Sequence, residues 1–209
     1  SGDMSIPDVV ALINENIWKA GMLGTSSSDI VFKRSQTPLI YDPMSVIAFG
    51  YGSCTGVSLV LIGALRSVGI PARIAGTPAW NGLEANGNHN WVEVYSPGTS
   101  QWEFIEAAPA GGGESMSNPC DKWFCNPTNF ANGTEVYAAR WIQDTDRAGR
   151  GTDTDVRYPM AWDMQNHAIP GVDRTEYVIS VDPHIGVGGE KGVGIGFMYK
   201  LLCSVCRCF

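Results

Sequence analysis

The chain has 209 residues, of which 44% are hydrophobic and 17% are charged, and its formal net charge is −7. This length fits one domain with a core large enough to fold without cross-links, and the composition is that of a globular protein. With only 14 Lys and Arg residues, the chain lacks the basic clusters that phosphate contacts need, which argues against nucleic acid as a partner. We expect a single domain over residues 1–209, with a C-terminal extension near 186–209.

The sequence of the first half of the chain indicates three helices, of which the third is predicted to be central. Apolar positions at helical spacing predict a helix over residues 6–22, and a short strand or turn follows near 30–32. A second, short helix is expected over 43–48. Residues 54–68 are apolar almost all round, which predicts a buried central helix that ends at Gly69.

The second half predicts strands. Residues 72–76, 89–95 and 101–105 are strand-like, and the last two form an antiparallel hairpin because their connection is too short for a crossover. Weaker strand signals lie at 136–142 and 177–181. Frequent Gly and Pro residues between these segments predict long loops.

Three residues in this order form a candidate site for nucleophilic catalysis. Cys54 begins the central helix, where the peptide dipoles stabilise a thiolate and backbone N–H groups can hold an oxyanion. His89 begins a strand and would take the thiol proton, and Glu106 follows the partner strand and would orient the imidazole. One helix packed on one hairpin can assemble all three.

The motifs around these residues resemble the transglutaminase-like superfamily, and the resemblance implies a core near residues 45–110. They are GSCTG at 52–56, LRSVGIPAR at 65–73, NHNWVEV at 88–94 and WEFIE at 102–106. The resemblance implies a papain-like α+β fold in which the central helix packs on a small antiparallel sheet with long loops. It also implies that Cys54 is the nucleophile and His89 the general base. Glu106 stands where the family usually has Asp, and Thr55 where an aromatic residue is frequent.

Other residues receive secondary roles. We expect Gln36 to donate to the oxyanion from the loop before the central helix, and Trp80 and Trp91 to line an acyl-binding cleft, although hairpin aromatics more often pack in a core. Glu93 and Glu103 are predicted to be solvated strand residues.

The cysteines and the N-terminus bear on the compartment. With Cys54 as a free nucleophile, five cysteines remain and cannot all pair within one chain. A Cys120–Cys125 disulfide and the sequon at Asn132 favour export, and the N-terminus shows no signal peptide. No apolar run is long enough to span a membrane, and no metal-ligand cluster is evident, so we expect no membrane partner, metal or cofactor.

The function predicted from the sequence is a cysteine-dependent amide hydrolase, a peptidase or amidase that acts through a thioester acyl-enzyme. Water needs no second binding site, which favours hydrolysis, and the substrate would be a peptide, a protein or a small amide. Two alternatives stay open. The acceptor could be an amine, as in a transglutaminase, another acyltransferase or a cyclase, or the domain could bind without catalysis.

Overall fold

The computed structural model of the protein describes residues 3–24, 28–35, 40–112, 116, 133–140 and 169–181. The helices in these ranges are α1 Ile6–Asn16, α2 Pro43–Phe49, α3 Cys54–Ser67 and α4 Thr175–Val181. The strands are β1 Val31–Phe32, β2 Tyr51–Gly52, β3 Ala72–Thr77, β4 His89–Ser96, β5 Gln101–Ile105, β6 Tyr137–Ala139 and β7 Gly171–Asp173. Within the same ranges, no helix is long and apolar enough to cross a membrane.

The main sheet has five strands in the order β5-β4-β3-β6-β7, and every neighbouring pair is antiparallel. The short strands β1 and β2 form a separate parallel pair. Helices combined with an antiparallel sheet make up the predicted α+β class. The predicted hairpin is β4–β5, with Val92 opposite Ile105 and Ser96 opposite Gln101.

Helix α3 is the buried centre of the molecule, as its apolar sequence predicts. Val57, Leu61 and Leu65 are fully buried in a cluster that also contains Val92 and Val94 of β4. The helix ends where expected, because Gly69 adopts a positive φ of 83° that L side chains rarely tolerate. Burial of these side chains against the sheet holds α3 in place.

A second apolar layer covers the opposite face of the sheet. Trp91 and Phe104 of the hairpin pack there with Ala138 of β6 and Val178 of α4. Since both faces are covered, nearly every residue of β4 is buried. This layer places α4 beside the hairpin.

Helix α1 ends at Asn16, earlier than the predicted residue 22. Its start matches expectation, since Ser5 and Asp8 form a capping box and Pro7 occupies the first turn. After Asn16 the backbone leaves the helix to meet a returning segment, because Trp18 O accepts a hydrogen bond from Ile30 N at 2.8 Å. Tertiary pairing therefore outweighs the remaining helical periodicity.

The predicted strand at 177–181 is wrong, because these residues belong to helix α4. Its β-branched and aromatic residues favour a strand, but Val178 and Tyr177 instead pack a helix against the sheet. The strand of this region is β7, directly before the helix.

The prediction at 136–142 is met by β6, although residues 141 and 142 lie outside the described residues. The proposed extension at 186–209 also lies outside them.

Candidate active site

Cys54 is the first residue of α3 and has no exposed surface. Ser53 precedes it as the N-cap, and the first turn carries no acidic residue. Cys54 therefore lies at the positive end of the dipole of a 14-residue helix. Gly56 allows close packing here, since a Cβ there would lie 3.1 Å from Ile40 O.

The sulfur of Cys54 is disulfide-bonded, which differs from the expected free thiol. The other five cysteines of the chain, Cys120 and Cys125 among them, lie outside the described residues. A sulfur in a disulfide is not a nucleophile toward an amide, because the thiolate is the reactive form. The structure therefore presents an oxidised state of this position.

His89 and Glu106 meet in the interior. The distance from His89 Nε2 to Glu106 Oε2 is 2.5 Å, and the side chains are only 1% and 0% exposed. Hairpin register explains the contact. Because Val92 pairs with Ile105, one further step places Trp91 opposite Glu106 and leaves His89 diagonal to it on the same face.

A Glu side chain is long enough to cross this diagonal. Its second oxygen, Oε1, accepts a hydrogen bond from Ala107 N at 3.2 Å, so the carboxylate is held on both sides. A carboxylate on Nε2 fixes the imidazole ring and its tautomer. The structure thus brings two of the three predicted catalytic residues into direct contact.

Asn90 connects the start of β4 to the first turn of α3. Its Nδ2 donates to Thr55 Oγ1 at 2.9 Å and lies 3.9 Å from Cys54 Sγ. Ser58 Oγ donates to the Asn90 carbonyl at 3.4 Å. Since Asn90 follows His89 in the chain, these contacts dock the cysteine end of the helix at the histidine end of the strand.

Sequence reasoning did not identify Asn90. A signal existed, since Asn90 shares the α3-facing side of β4 with Val92 and Val94, where a polar residue is costly unless it is hydrogen-bonded. Gly76 on β3 accommodates it, because a Cβ there would come within 2.5 Å of Asn90 Oδ1.

Trp80 and Trp91 lie in the core. Trp91 is fully buried, and its ring lies 6.0 Å from the His89 ring and 5.7 Å from the Phe104 ring. Trp80 is 4% exposed. Burial of both side chains fits core packing, the more frequent role of hairpin aromatics, and their lining of an acyl-binding cleft stays a prediction.

Glu93 is not solvated as predicted, because it is completely buried. Arg73 Nη2 lies 2.6 Å from Glu93 Oε2, and Arg174 Nε lies 2.7 Å from Glu93 Oε1. Burial lowers the pKa of Arg73, and the Glu93 carboxylate opposes this shift. Glu103, in contrast, accepts a hydrogen bond from Thr99 Oγ1 in an exposed setting, in line with the prediction for it.

Gln36, the predicted oxyanion donor, lies outside the described residues. Among the residues that the structure describes, no group of three or more His, Cys, Asp or Glu side chains could hold a metal ion.

Comparison with known proteins finds a match over the part of the chain that contains α3 and the β4–β5 hairpin. Residues 25–107 match the family model of the transglutaminase-like superfamily. The predicted resemblance is confirmed over this stretch. A search of curated proteins gave no match, and neither did a search of solved structures.

The transglutaminase-like stretch includes α3, the β4–β5 hairpin and all three predicted catalytic residues. It covers well under half of the chain. Helix α1 precedes it, and β6, β7 and α4 follow it, so both the second apolar layer and the Arg174 contact to Glu93 involve residues beyond it.

Proposed function

We propose that the protein is a cysteine-dependent amide hydrolase that uses Cys54, His89 and Glu106. The observation that carries this proposal is the buried 2.5 Å contact between His89 and Glu106, next in sequence to Asn90, whose Nδ2 lies 3.9 Å from Cys54 Sγ. A buried histidine held by a carboxylate is the arrangement that a thiol nucleophile needs from its base. The family match supports cysteine-based acyl transfer or hydrolysis in general terms.

Acylation would begin with proton transfer. Since Glu106 holds Nε2, Nδ1 of His89 would take the proton of Cys54, and the carboxylate would stabilise the imidazolium. The thiolate sulfur then bonds to the amide carbon, and the carbonyl electron pair moves onto oxygen. When this oxyanion collapses, the C–N bond breaks and the imidazolium protonates the leaving amine. A thioester remains on Cys54.

Deacylation reverses the roles. His89 takes a proton from water as the hydroxyl oxygen bonds to the thioester carbon. The C–S bond then breaks to release the carboxylic acid, and the imidazolium returns its proton to the Cys54 sulfur. Backbone N–H groups in the first turn of α3 supply oxyanion stabilisation in both steps. In the papain-like arrangement expected from the family resemblance, the helix end faces the hairpin, so the same N–H groups can serve acylation and deacylation.

The oxidised state of Cys54 sets a condition on this activity. Because the disulfide must be reduced before the thiolate exists, turnover requires a reductant. The matching experiment uses the full chain with and without a phosphine reductant, and peptidyl coumarin amides with varied acyl residues as the probe. We expect coumarin release only from the reduced protein.

The decisive variant is Cys54→Ala, with Ser67→Ala at the other end of α3 as the matched control. We expect the loss to be on the order of 10⁴-fold for Cys54→Ala and less than about 2-fold for the control. Full retained turnover in Cys54→Ala would exclude the mechanism. A folded, reduced protein that neither turns over amides nor reacts selectively at Cys54 with iodoacetamide would support the binding alternative.

The acyl acceptor is decided in the same assay. Adding a primary amine such as cadaverine would leave a hydrolase product unchanged, whereas an acyltransferase would divert the acyl group into a new amide that mass spectrometry detects. If most of the product carries the amine, the protein is an acyltransferase and the hydrolase proposal is rejected in favour of the amine-acceptor alternative.

A further inference from the structure

Asn14 of α1 is a buried polar residue that contacts the chain on both sides of Ala107. It is 1% exposed. Its Nδ2 donates to the Glu106 carbonyl oxygen at 2.8 Å, and its Oδ1 accepts from Ala108 N at 2.9 Å. Both ends of the side-chain amide are therefore hydrogen-bonded to backbone groups more than 90 residues away in sequence.

We infer that Asn14 is a positioning residue for Glu106, an inference that rests on the proposed function. The β4–β5 pairing ends at Ile105, so Glu106 lies just beyond the paired residues of the strand. The Glu106 carboxylate must nevertheless keep its contact with His89 in a fully buried site. Asn14 provides the hydrogen bonds that fix the backbone there, and the backbone sets the direction of the side chain.

Gly112 restricts the same carbonyl from another direction. A Cβ at Gly112 would lie 2.1 Å from Glu106 O, and Gly112 N donates to Ala107 O at 3.2 Å. The segment after β5 therefore folds back onto Glu106, while Asn14 reaches it from α1. With two contacts on one carbonyl, the Glu106 backbone has little freedom to move.

Helix α1 is itself well anchored, which makes it a suitable support. Val10 is fully buried in the same cluster as the α3 side chains, and Ile13 packs against that cluster. Trp18 Nε1 donates to the Asn14 carbonyl at 2.6 Å. Asn14 also lies before residues 25–107, so the support comes from outside the stretch that matches the transglutaminase-like family.

A positioning role for Asn14 predicts a change in the ionisation of Cys54, whereas a purely structural role predicts a change in stability alone. If Asn14 acts through Glu106, its loss weakens the stabilisation of the His89 imidazolium and thereby raises the pH at which Cys54 becomes a thiolate. A structural role would lower stability without moving that pH. The experiment therefore uses the reduced full chain and measures the rate of Cys54 alkylation by iodoacetamide across pH, read by mass spectrometry of the Cys54 peptide.

The variants are Asn14→Ala and Asn14→Asp, each alone and combined with Glu106→Gln. The Asp variant is isosteric and keeps an acceptor for Ala108 N, so it remains informative if Asn14→Ala does not fold. Asn16→Ala and Asn16→Asp are matched controls, because Asn16 makes a similar side-chain-to-backbone bond, to Leu12 O, but on the exposed side of α1.

We expect both Asn14 variants to shift the alkylation profile to higher pH, in the direction of Glu106→Gln, and to lower kcat roughly 10-fold with KM changed by less than about 2-fold. In the Glu106→Gln background they should add no further shift, and the Asn16 variants should behave as wild type. If Glu106→Gln shifts the profile but Asn14 variants do not, or if their effects add, the positioning role is overturned. If Glu106→Gln shifts nothing, the proposed function fails together with it.

Discussion

At the scale of single residues, the length of the Glu106 side chain lets its carboxylate meet His89. Glu106 lies diagonal to His89 across the hairpin, and its carboxylate still approaches Nε2 to 2.5 Å. A diagonal pair is separated by roughly 7–8 Å between backbones, which a long side chain can cross. A shorter acid at this position would need the backbone to move, and Asn14 and Gly112 oppose such movement.

Glu106→Asp and Glu106→Gln should both lose activity, for different reasons. The Asp carboxylate falls short of Nε2, and the Gln amide cannot stabilise an imidazolium. We expect kcat to fall by roughly 10²-fold for Asp and roughly 10³-fold or more for Gln, in steady-state amide hydrolysis by the reduced protein. Glu103→Gln on the same strand is the control and should stay within about 2-fold of wild type. Equal activity of Glu106→Asp and wild type would show that the reach of Glu106 is unimportant.

The sequence predicted the residues that carry a local signature and missed those that depend on distant contacts. Cys54 and His89 were predicted from their motifs and their places at the start of a helix and a strand. Asn14 could not be assigned, because its partners lie more than 90 residues away. Glu93 was wrongly predicted to be solvated, because nothing near it in sequence reveals that Arg174 neutralises it.

At the scale of elements, the contact between β3 and β4 leaves no space beside His89. A Cβ at Gly76 would lie 2.4 Å from the His89 carbonyl oxygen and 2.5 Å from Asn90 Oδ1. Gly63 in α3 is the opposite case, since it is exposed and a Cβ there would meet nothing within 4 Å. Substitution of Gly76 therefore tests for a steric clash, whereas substitution of Gly63 tests helix propensity alone.

Substituting alanine at these glycines should change stability in opposite directions. Gly76→Ala forces the β4 backbone away, so we expect a loss of about 1–3 kcal/mol together with reduced kcat. Gly63→Ala should gain about 0.5–1 kcal/mol, because alanine loses less backbone entropy in a helix. Urea unfolding of both variants measures the difference. A Gly76→Ala variant as stable as wild type would contradict the close approach of β3 to β4.

Glu93 links three elements, since Arg73 lies on β3, Glu93 on β4 and Arg174 directly before α4. Arg73 also stacks over the Trp102 ring at 4.1 Å, and Arg174 over the Tyr177 ring at 4.0 Å. Two guanidinium groups that share one buried carboxylate depend on it for charge balance. This charge network attaches α4 to the sheet.

Removing the carboxylate should therefore be costly. We expect Glu93→Ala to lower the free energy of unfolding by about 3–5 kcal/mol, because the buried Arg73 and the partly buried Arg174 lose their counter-charge. Glu176→Ala, at an exposed position on α4, should stay within about 0.5 kcal/mol of wild type. Urea denaturation gives both values. A loss of less than about 1 kcal/mol for Glu93→Ala would mean that water solvates the two guanidinium groups once the carboxylate is gone.

At the scale of the whole molecule, the α+β class and the hairpin followed from the sequence, whereas the second layer did not. Periodicity reveals α3 and the pairing of β4 with β5, because these are local patterns joined by short turns. It does not reveal that β6 and β7 add to the far edge of β3, since strands of three residues carry little pattern. Helix α4 was mistaken for a strand for the same reason, because seven residues, five of them β-branched or aromatic, give too short a window.

Docking of α4 makes the stability of the molecule sensitive to alkaline pH. Burial raises the pKa of Tyr177 to about 12, and its hydroxyl oxygen accepts a hydrogen bond from Phe104 N at 3.2 Å. Because the folded state holds the phenol proton more tightly than the unfolded state does, this contribution is complete below the ordinary value of 10 and is lost as pH rises toward 12.

Tyr177→Phe should flatten this dependence. We expect the wild-type free energy of unfolding to decline between about pH 10 and about pH 12, and the Phe variant to decline less over the same window. Burial also raises the pKa of Tyr137, so some decline should remain until Tyr137→Phe is added. Chemical denaturation at a series of pH values measures the slopes. Identical slopes in wild type and Tyr177→Phe would place the alkaline sensitivity elsewhere.

The arginine before α4 has a consequence for the smallest fragment that can fold independently. A fragment limited to residues 25–107 would retain Cys54, His89 and Glu106, yet it would lack Asn14 behind the acid and Arg174 beside Glu93. It would also expose Trp91 and Phe104 to water once Ala138 and Val178 were gone. The stretch that contains the proposed catalytic residues is therefore smaller than the set of elements that pack around it, and excising it should yield an aggregation-prone peptide.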